Sequence, residues 1–169
     1  MSGFVGIVQT AQQADGLAAR GDFGAAIPLF GKSVMLLQPQ LVKLGRQGAM
    51  KLAAPIKNLL DKCLLGIANC HLQISIASPR KPGALGHTKE AIAISSTVIR
   101  SSSMALAQAY IIRGHAFFVE GALERAQRDL DLAKALVEAI PELKKSKNVQ
   151  ASLLIIEYQV HTDSRIYPI

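Results

Sequence analysis

Two cysteines and four histidines are the residues of this 169-residue chain whose chemistry best suits metal binding or nucleophilic attack. Cys63 and Cys70 lie seven residues apart, so on a helix they share a face but are too distant to form a disulfide. The histidines are scattered along the sequence and do not complete a zinc site with the thiols: they are His71, His87, His115 and His161. We therefore expect two small buried thiols, no metal site and no cofactor.

Catalytic arrangements are absent from the sequence pattern. It contains no Ser/His/Asp or Cys/His arrangement, no phosphate-binding loop and no paired carboxylates in a helical frame. We therefore predict that the chain is not an enzyme and name no catalytic residue.

The charge of the chain is uneven. Residues 1–89 contain ten Lys or Arg and three Asp or Glu, whereas residues 90–169 contain nine of each, and the whole chain has a net charge of +7. A basic half favours an acidic partner, an anionic surface or nucleic acid. The basic residues form no run and alternate with no aromatic residues, so we do not expect nucleic-acid binding.

Composition indicates a single α-helical domain over residues 1–169. Half of the residues are hydrophobic, only 5% are aromatic, and none is tryptophan. The chain has no apolar stretch long enough to span a membrane, and its first residues lack the pattern of a signal peptide. Without a disulfide the thiols suit a reducing compartment. The expected location is therefore the cytoplasm.

The apolar spacing is helical almost throughout and predicts seven helices. Pro39 is compatible with a kink or a short break in the second helix. The helix therefore either ends near residue 37 or continues to residue 44. The Pro/Gly-rich segment 78–86 is the clearest loop, and its PxxP spacing is only a weak match to an SH3 ligand. The serines at 101–103 are expected to cap the helix that follows. The predicted helices are 4–20, 23–44, 51–76, 87–100, 104–119, 122–139 and 149–162, with a turn at Pro141.

A repeat is clearest between residues 107 and 139. Small and large residues follow each other there at fixed spacing: Tyr110, Gly114, Phe117, Gly121, Ala126, Leu130 and Ala133. This pattern resembles a tetratricopeptide repeat, in which two antiparallel helices cross closely. By that resemblance Gly114 and Ala126 face each other at the closest approach, while Tyr110 and Phe117 fill the space beside them.

Two further copies fit the same template. The first consists of Ala14, Leu17, Gly21, Phe23, Ala26, Phe30 and Ser33, and a weaker middle copy of Ala68, His71, Ala91, Ser95 and Val98. The key alanines, Ala26, Ala91 and Ala126, are separated by 65 and 35 residues, so the first interval far exceeds the ~34-residue unit. The first pair must therefore have extended helices or a long connector.

This layout is similar to the repeat domain of the large immunophilins and of the aryl-hydrocarbon-receptor-interacting protein family. The resemblance implies an all-α fold of three helix pairs, at about 8–40, 52–100 and 104–140, wound into a right-handed superhelix. A C-terminal capping helix at about 149–162 completes it. The prolyl-isomerase domain of those families does not occur in this sequence, so its activity is not implied.

Many members of these families hold the C-terminal Glu-Glu-Val-Asp of a chaperone with a clamp of Lys, Asn and Arg side chains. The corresponding positions here are Ala11, Asp15, Gly66, Gln108 and Ile112. None of them matches, and the nearby Arg113 occupies a position that faces away from the groove. We therefore expect no binding of a chaperone tail by the clamp mode.

The resemblance still implies a concave groove that binds a partner protein or peptide. The residues expected to line it are Asp15, Ala18, Lys62, Asn69, Gln73, Gln108, His115 and Val119. The leading hypothesis for function is therefore a protein-interaction module, an adaptor or co-chaperone-like scaffold.

Two other functions compete with this hypothesis. A structural subunit or a homodimer is indicated by the last helix, where one apolar stripe is formed by Val149, Leu153, Ile156 and Val160 and another by Leu154, Ile155 and Tyr158. We expect Leu153 and Ile156 to pack inwards and Leu154 or Tyr158 to lie at a protein contact. The second alternative is a microtubule-interacting and trafficking module, because residues 4–75 alone could form a three-helix bundle.

Overall fold

The computed structural model of the chain describes residues 2–79, 83–101 and 105–166, and this part consists of helices joined by turns, without a strand. The predicted all-α class is confirmed. Eight helices follow each other in the described residues: α1 (Ser2–Ala19), α2 (Phe23–Arg46), α3 (Met50–Ala77), α4 (Ala84–Arg100), α5 (Leu106–Val119), α6 (Leu123–Ala139), α7 (Pro141–Lys144) and α8 (Lys147–Ile166).

Helix α2 runs without interruption through two prolines, so the possible stop near Leu37 is wrong. A proline inside a helix removes one N–H and so leaves the carbonyl four residues earlier without its usual donor. Pro28 and Pro39 both lie on the exposed side of α2, where water can serve the freed carbonyl. The helix ends at Gln47, just before Gly48, which adopts a left-handed conformation with φ of 68°.

Helix α4 begins at Ala84, several residues before the predicted start at 87 or 88. Gly83 precedes it in a left-handed conformation, with φ of 97°, which places the reversal of the chain at that residue. The carbonyl of Ala84 also accepts hydrogen bonds from the hydroxyls of Ser75 and Thr88, which fixes this end of α4 on α3. Most of the PxxP spacing, at 80–82, lies outside the described residues.

Two turns also differ from the prediction. The Ser101 hydroxyl donates to the carbonyl of Val98, so it caps the helix before it rather than the one after it. Positions 102–104 lie outside the described residues. The turn expected at Pro141 forms the one-turn helix α7, and the last helix starts at Lys147 instead of 149.

Consecutive helices pack against each other from α1 to α6. The third helix is the most central, because it also contacts α1 and α5, and α8 packs against α5 and α6. Three buried clusters result: one around Phe30 between α1, α2 and α3, one around Leu72 between α3, α4 and α5, and one around Leu130 between α5, α6 and α8.

The turns after α1 and α5 have the same geometry. Asp22 and Ala122 donate their backbone N–H to the carbonyls of Leu17 and Phe117, five residues earlier in each case. The preceding glycines, at 21 and 121, adopt positive φ values of 82° and 80°. This is the Schellman ending of a helix, which requires a left-handed residue at that place and therefore favours glycine.

Two glycines allow helices to approach closely. A Cβ on Gly114 would lie 3.3 Å from the carbonyl oxygen of Ala126 and from the Cβ of Asp129, so the predicted contact of Gly114 with Ala126 is confirmed. A Cβ on Gly66 would lie 2.7 Å from the ring of the buried Phe30. Gly66 therefore packs between α2 and α3 and is not the groove position that the clamp alignment assigned to it.

The two thiols are free and buried, as predicted. Burial is the main cause that raises the pKa of each of Cys63 and Cys70 to about 11, with a smaller contribution from Asp15. Both therefore remain protonated and chemically inert near neutral pH. No helix in the described part of the chain combines the length and the apolar character that crossing a bilayer demands.

The contact between Gly66 and Phe30 predicts that an added methyl group lowers the free energy of unfolding at position 66 but not at the open position 31. Gly66→Ala forces its methyl group into the ring of Phe30, which is buried and cannot move aside freely, and should lower the free energy of unfolding by about 1–3 kcal/mol. Gly114→Leu should lower it by a similar amount or more, because its nearest neighbour is backbone. Denaturant unfolding followed by circular dichroism measures both changes.

The matched control is Gly31→Ala, in the interior of α2. A Cβ at that position meets nothing within 4 Å, so this variant should gain about 0.5–1 kcal/mol from the lower entropy of its unfolded chain. Equal midpoints for Gly66→Ala and Gly31→Ala would contradict the close contact of α2 with α3.

Candidate functional site

Helices α3, α5 and α8 enclose a groove of about 570 Å³. Each helix contributes residues that recur every three or four positions and therefore share one helical face. Helix α3 provides Asn69, Leu72, Gln73 and Ile76; α5 provides Gln108, Ile111, Ile112 and His115; α8 and the residue before it provide Ser146, Asn148, Val149, Ser152, Ile155, Ile156 and Gln159. We call this set the α3–α5–α8 groove.

The groove contains no aspartate, glutamate, lysine or arginine. Its polar groups are five carboxamides, two serine hydroxyls and the imidazole of His115, set among isoleucine, leucine and valine side chains. A carboxamide can donate and accept hydrogen bonds at the same time, as a peptide group does. The groove therefore combines an apolar lining with groups that match a peptide main chain.

The side chain of Gln159 stands out among these carboxamides. Its Oε1 atom is buried and has no hydrogen-bond partner. A buried polar atom without a partner costs about 1–3 kcal/mol, so such atoms are rare unless a ligand or water serves them. Gln159 lines the groove, and a rotation of its side chain would let this oxygen accept a hydrogen bond from a bound molecule.

His115 lies on the α5 side of the groove. Burial lowers its pKa below the ordinary value of 6.5, because a charged ring would lose its hydration. Its ring lies beside that of Phe118, with 6.4 Å between the ring centroids. At neutral pH His115 is therefore uncharged, and the whole lining of the groove is neutral.

Four of the predicted groove residues come together in this site: Asn69, Gln73, Gln108 and His115. Asp15 and Lys62 do not line it and instead form an ion pair of 2.7 Å between α1 and α3. The half-buried Val119 packs with the cluster around Leu72 and does not line the α3–α5–α8 groove. The structure thus brings four of the predicted residues into one groove and leaves the others outside it, and binding of a partner there stays a prediction.

Ala18 is also outside the groove. It packs at the edge of the cluster around Phe30.

The former clamp positions do not form a cationic site. Ala11 is buried among α1, α2 and α3, and Ile112 is buried in the floor of the groove. Lys62, the nearest lysine, is paired with Asp15. Gln108, the fourth clamp position, is uncharged. The groove therefore has no positive charge to hold a terminal carboxylate.

Arg113 faces away from the groove, as predicted. Its guanidinium donates two hydrogen bonds to the buried Asp129, of 2.7 and 2.8 Å, and a third to Ser96. It also lies over the rings of Tyr110 and Phe117, at 5.5 and 5.8 Å from their centroids. The hydrogen bonds to Asp129 raise the pKa of Arg113, so it stays charged and ties α5 to α4 and α6.

The contribution of α8 to the groove was not predicted. Asn148, Ser152, Ile155 and Gln159 are spaced by four, three and four residues, which places them on one helical face. That spacing is a signal the sequence did contain, but it is masked by the stronger apolar stripes on the same helix.

The two stripes of α8 behave differently. Leu153, Ile156 and Val160 are buried against α5 and α6, which confirms the predicted inward face. Leu154 and Tyr158 remain exposed, with 65% and 73% of their surface accessible. A protein contact at these two residues stays a prediction.

Two histidines that are distant in sequence lie together between α3 and α4. The Nδ1 atoms of His71 and His87 are 2.7 Å apart, so one ring donates and the other accepts. Burial, and after it the neighbouring His87, lowers the pKa of His71. No group of three or more histidines, cysteines or carboxylates suited to a metal ion occurs among the described residues, so this pair is a hydrogen bond between helices.

The pKa of His115 predicts a pH dependence. Because burial lowers that pKa in the folded chain, the unfolded chain binds more protons once the pH falls below about 6.5. The share of stability that depends on neutral His115 is therefore present above pH 6.5 and is lost as the pH falls towards the folded pKa. His115→Gln, which keeps a neutral polar group, should remove this share.

Urea unfolding of the two proteins at several values between pH 7 and pH 5 tests this expectation. Wild type should lose more stability than His115→Gln over this interval, while His71 and the carboxylates contribute equally to both. Parallel curves would show that His115 is not buried as described.

Comparison of the chain with protein-family models, with curated proteins and with solved structures finds no match.

Proposed function

We propose that the chain is a protein-interaction module of the tetratricopeptide type, which holds an extended, uncharged peptide segment in the α3–α5–α8 groove. The observation that carries the proposal is the neutral lining of that groove, with five carboxamides and the unpartnered Gln159 oxygen set among apolar side chains. The module acts as an adaptor, similar to a co-chaperone, without catalysis and without a cofactor.

The repeat assignment is supported by the lengths of the helices and, more weakly, by the turns. The turns after α1 and α5 share one hydrogen-bond pattern, but the turn after α2 has it as well, since the N–H of Ala49 donates to the carbonyl of Leu44. The interval of 65 residues between Ala26 and Ala91 is filled by α2 and α3, which are 24 and 28 residues long. In this proposal α1–α2, α3–α4 and α5–α6 are the three pairs of a right-handed superhelix, and α8 caps the last pair.

The carboxamides favour an extended peptide over a folded helix. An extended segment has free main-chain N–H and C=O groups, which Asn69, Gln73 and Gln108 can pair with from one side and Gln159 from the other. A helix satisfies its own main chain and has no use for them. The leucine and isoleucine side chains between the amides then accept the apolar side chains of the segment.

The same chemistry argues against a charged ligand. A carboxylate that enters the groove loses its hydration and meets no cation, and an unpaired buried charge costs several kcal/mol. This proposal therefore includes the absence of chaperone-tail binding by the clamp mode. Two free buried thiols are compatible with the reducing cytoplasm, which is the location we propose.

Selection from a display library of random peptides tests the proposed ligand class. Wild type should enrich segments that are apolar and uncharged at their centre. Gln73→Glu and Gln108→Glu keep the size of each side chain but remove donors and add charge, so each should weaken the selected peptides about tenfold or more. Fluorescence polarisation with labelled peptides measures the dissociation constants.

The control is Gln12→Glu, on the exposed side of α1 away from the groove, which should bind as wild type does. A peptide ending in Glu-Glu-Val-Asp should not bind in the micromolar range. Tight binding of that peptide, lost on amidation of its C-terminus, would contradict the proposal.

Self-association through α8 is the second candidate function, and the exposure of Leu154 and Tyr158 favours it. Leu154→Glu should leave the helix content unchanged and shift a dimer to monomer, because a charge in an apolar contact is costly. Leu85→Glu is the matched control, since Leu85 is 57% exposed on α4. Light scattering over a concentration series decides: a wild-type chain that stays monomeric leaves α8 as a simple cap.

The trafficking-module alternative has less support. Helix α3 packs against α4 and α5 as well as against α1 and α2, so the first three helices are not a separate bundle.

A further inference from the structure

We propose that the exposed face of α2 docks on an anionic lipid surface. The face consists of basic and apolar residues that lie, together with Pro39, on one side of the helix over about 21 Å of its length. These residues, called the α2 ridge, are Lys32, Met35, Leu36, Val42, Lys43 and Arg46.

The apolar side chains of the ridge are exposed in the described part of the chain. Met35, Leu36 and Val42 are 75%, 45% and 55% exposed. The opposite side of α2, with Phe30 and Leu37, is buried against α1 and α3. Neighbouring exposed apolar groups of this size mark an interaction surface more often than isolated ones do.

The charge of the ridge is not balanced. The stretch 23–46 contains three basic residues and no acidic residue. The acidic residues of the first half of the chain are already engaged: Asp15 and Asp61 pair with lysines of α3, and Asp22 accepts the backbone N–H of Ala25 at the start of α2. No ion pair among the described residues involves a basic group of the ridge. The complementary surface must therefore be negative and must also accept apolar groups.

The shape of the ridge favours a lipid surface over an acidic protein. Among the described helices α2 contacts only α1 and α3, and neither covers the ridge. The depression on this stretch of α2, lined by Gln38, Pro39, Val42, Lys43, Arg46 and Gln47, is shallow and open to solvent, so it lacks the walls that would enclose a peptide. The helix can, however, lie in the plane of a membrane with its apolar side chains among the headgroups and its cations beside the phosphates.

Pro39 sets the depth of this contact. It lies on the ridge side and gives no N–H to the carbonyl of Met35. Such a carbonyl needs water and would be costly in hydrocarbon. The ridge therefore stays at the level of the headgroups and does not insert into the acyl chains.

Co-sedimentation with vesicles tests the charge requirement. Full-length protein should bind vesicles of equal parts phosphatidylserine and phosphatidylcholine, should not bind phosphatidylcholine alone, and should dissociate as salt is added. Each basic residue near such a surface contributes about fivefold in affinity, so the triple variant K32Q/K43Q/R46Q should bind roughly a hundredfold more weakly. Circular dichroism of the variant verifies that it is folded.

The matched control is K144Q/K145Q/K147Q, which removes three exposed lysines around α7 and the start of α8. Both variants lose three of the seven net positive charges. If the two bind equally weakly, net charge alone drives the binding and the ridge is not the site.

A tryptophan probe tests the location, since the chain contains no tryptophan of its own. The fluorescence of Met35→Trp should shift to the blue on anionic vesicles and should be quenched by a headgroup-level quencher more than by one in the acyl chains. Tyr158→Trp, equally exposed on α8, should show no shift. A shift at position 158 alone, or a shift of Met35→Trp with an acidic amphipathic peptide but not with vesicles, overturns the proposal.

Discussion

The spacing of the helices is set by small residues at their crossings, and the remaining packing follows from it. Alanines that are completely buried occupy α1 to α6: Ala14, Ala26, Ala68, Ala91, Ala109, Ala116, Ala126 and Ala133. The neighbouring helix approaches most closely at Gly66 and Gly114, since any side chain at either position would contact a ring or a backbone carbonyl. Because protein interiors are close-packed, helices that cross at alanine and glycine leave room for few large side chains. The low aromatic content of the chain agrees with this packing.

The parts of the fold that could be predicted are those with a local signal. The positions of the helices follow from apolar spacing, and the turns after α1 and α5 from glycines at the places where the chain must be left-handed. The start of α4 was placed too late because Gly86 suggested a break, whereas the contacts of Ala84 with α3 decide where the helix begins. Tertiary hydrogen bonds of this kind have no local pattern.

The candidate site also contains residues that the sequence predicted and residues that it did not. Asn69, Gln73, Gln108 and His115 were expected in a groove because the resemblance to a tetratricopeptide repeat places them there. The contribution of α8 depends on how the last helix packs against α5 and α6, and the proximity of His71 to His87 depends on the reversal at Gly83. The spacing on α8 shows which of its residues share a face, but the helices that this face meets are set by how separate elements pack.

The distribution of charge connects the two surfaces. The acidic residues of the first half lie in ion pairs and a helix cap, so its basic excess remains on the outside, while the α3–α5–α8 groove contains no formal charge at all. The α2 ridge and the groove share no residue, and the ridge helix does not line the groove. Coulomb interactions between exposed groups fade beyond the Debye length of about 8 Å at physiological salt. Under the two proposals, contact at the ridge depends on charge and salt whereas recognition in the uncharged groove does not, and the lipid surface and the peptide would occupy separate sites.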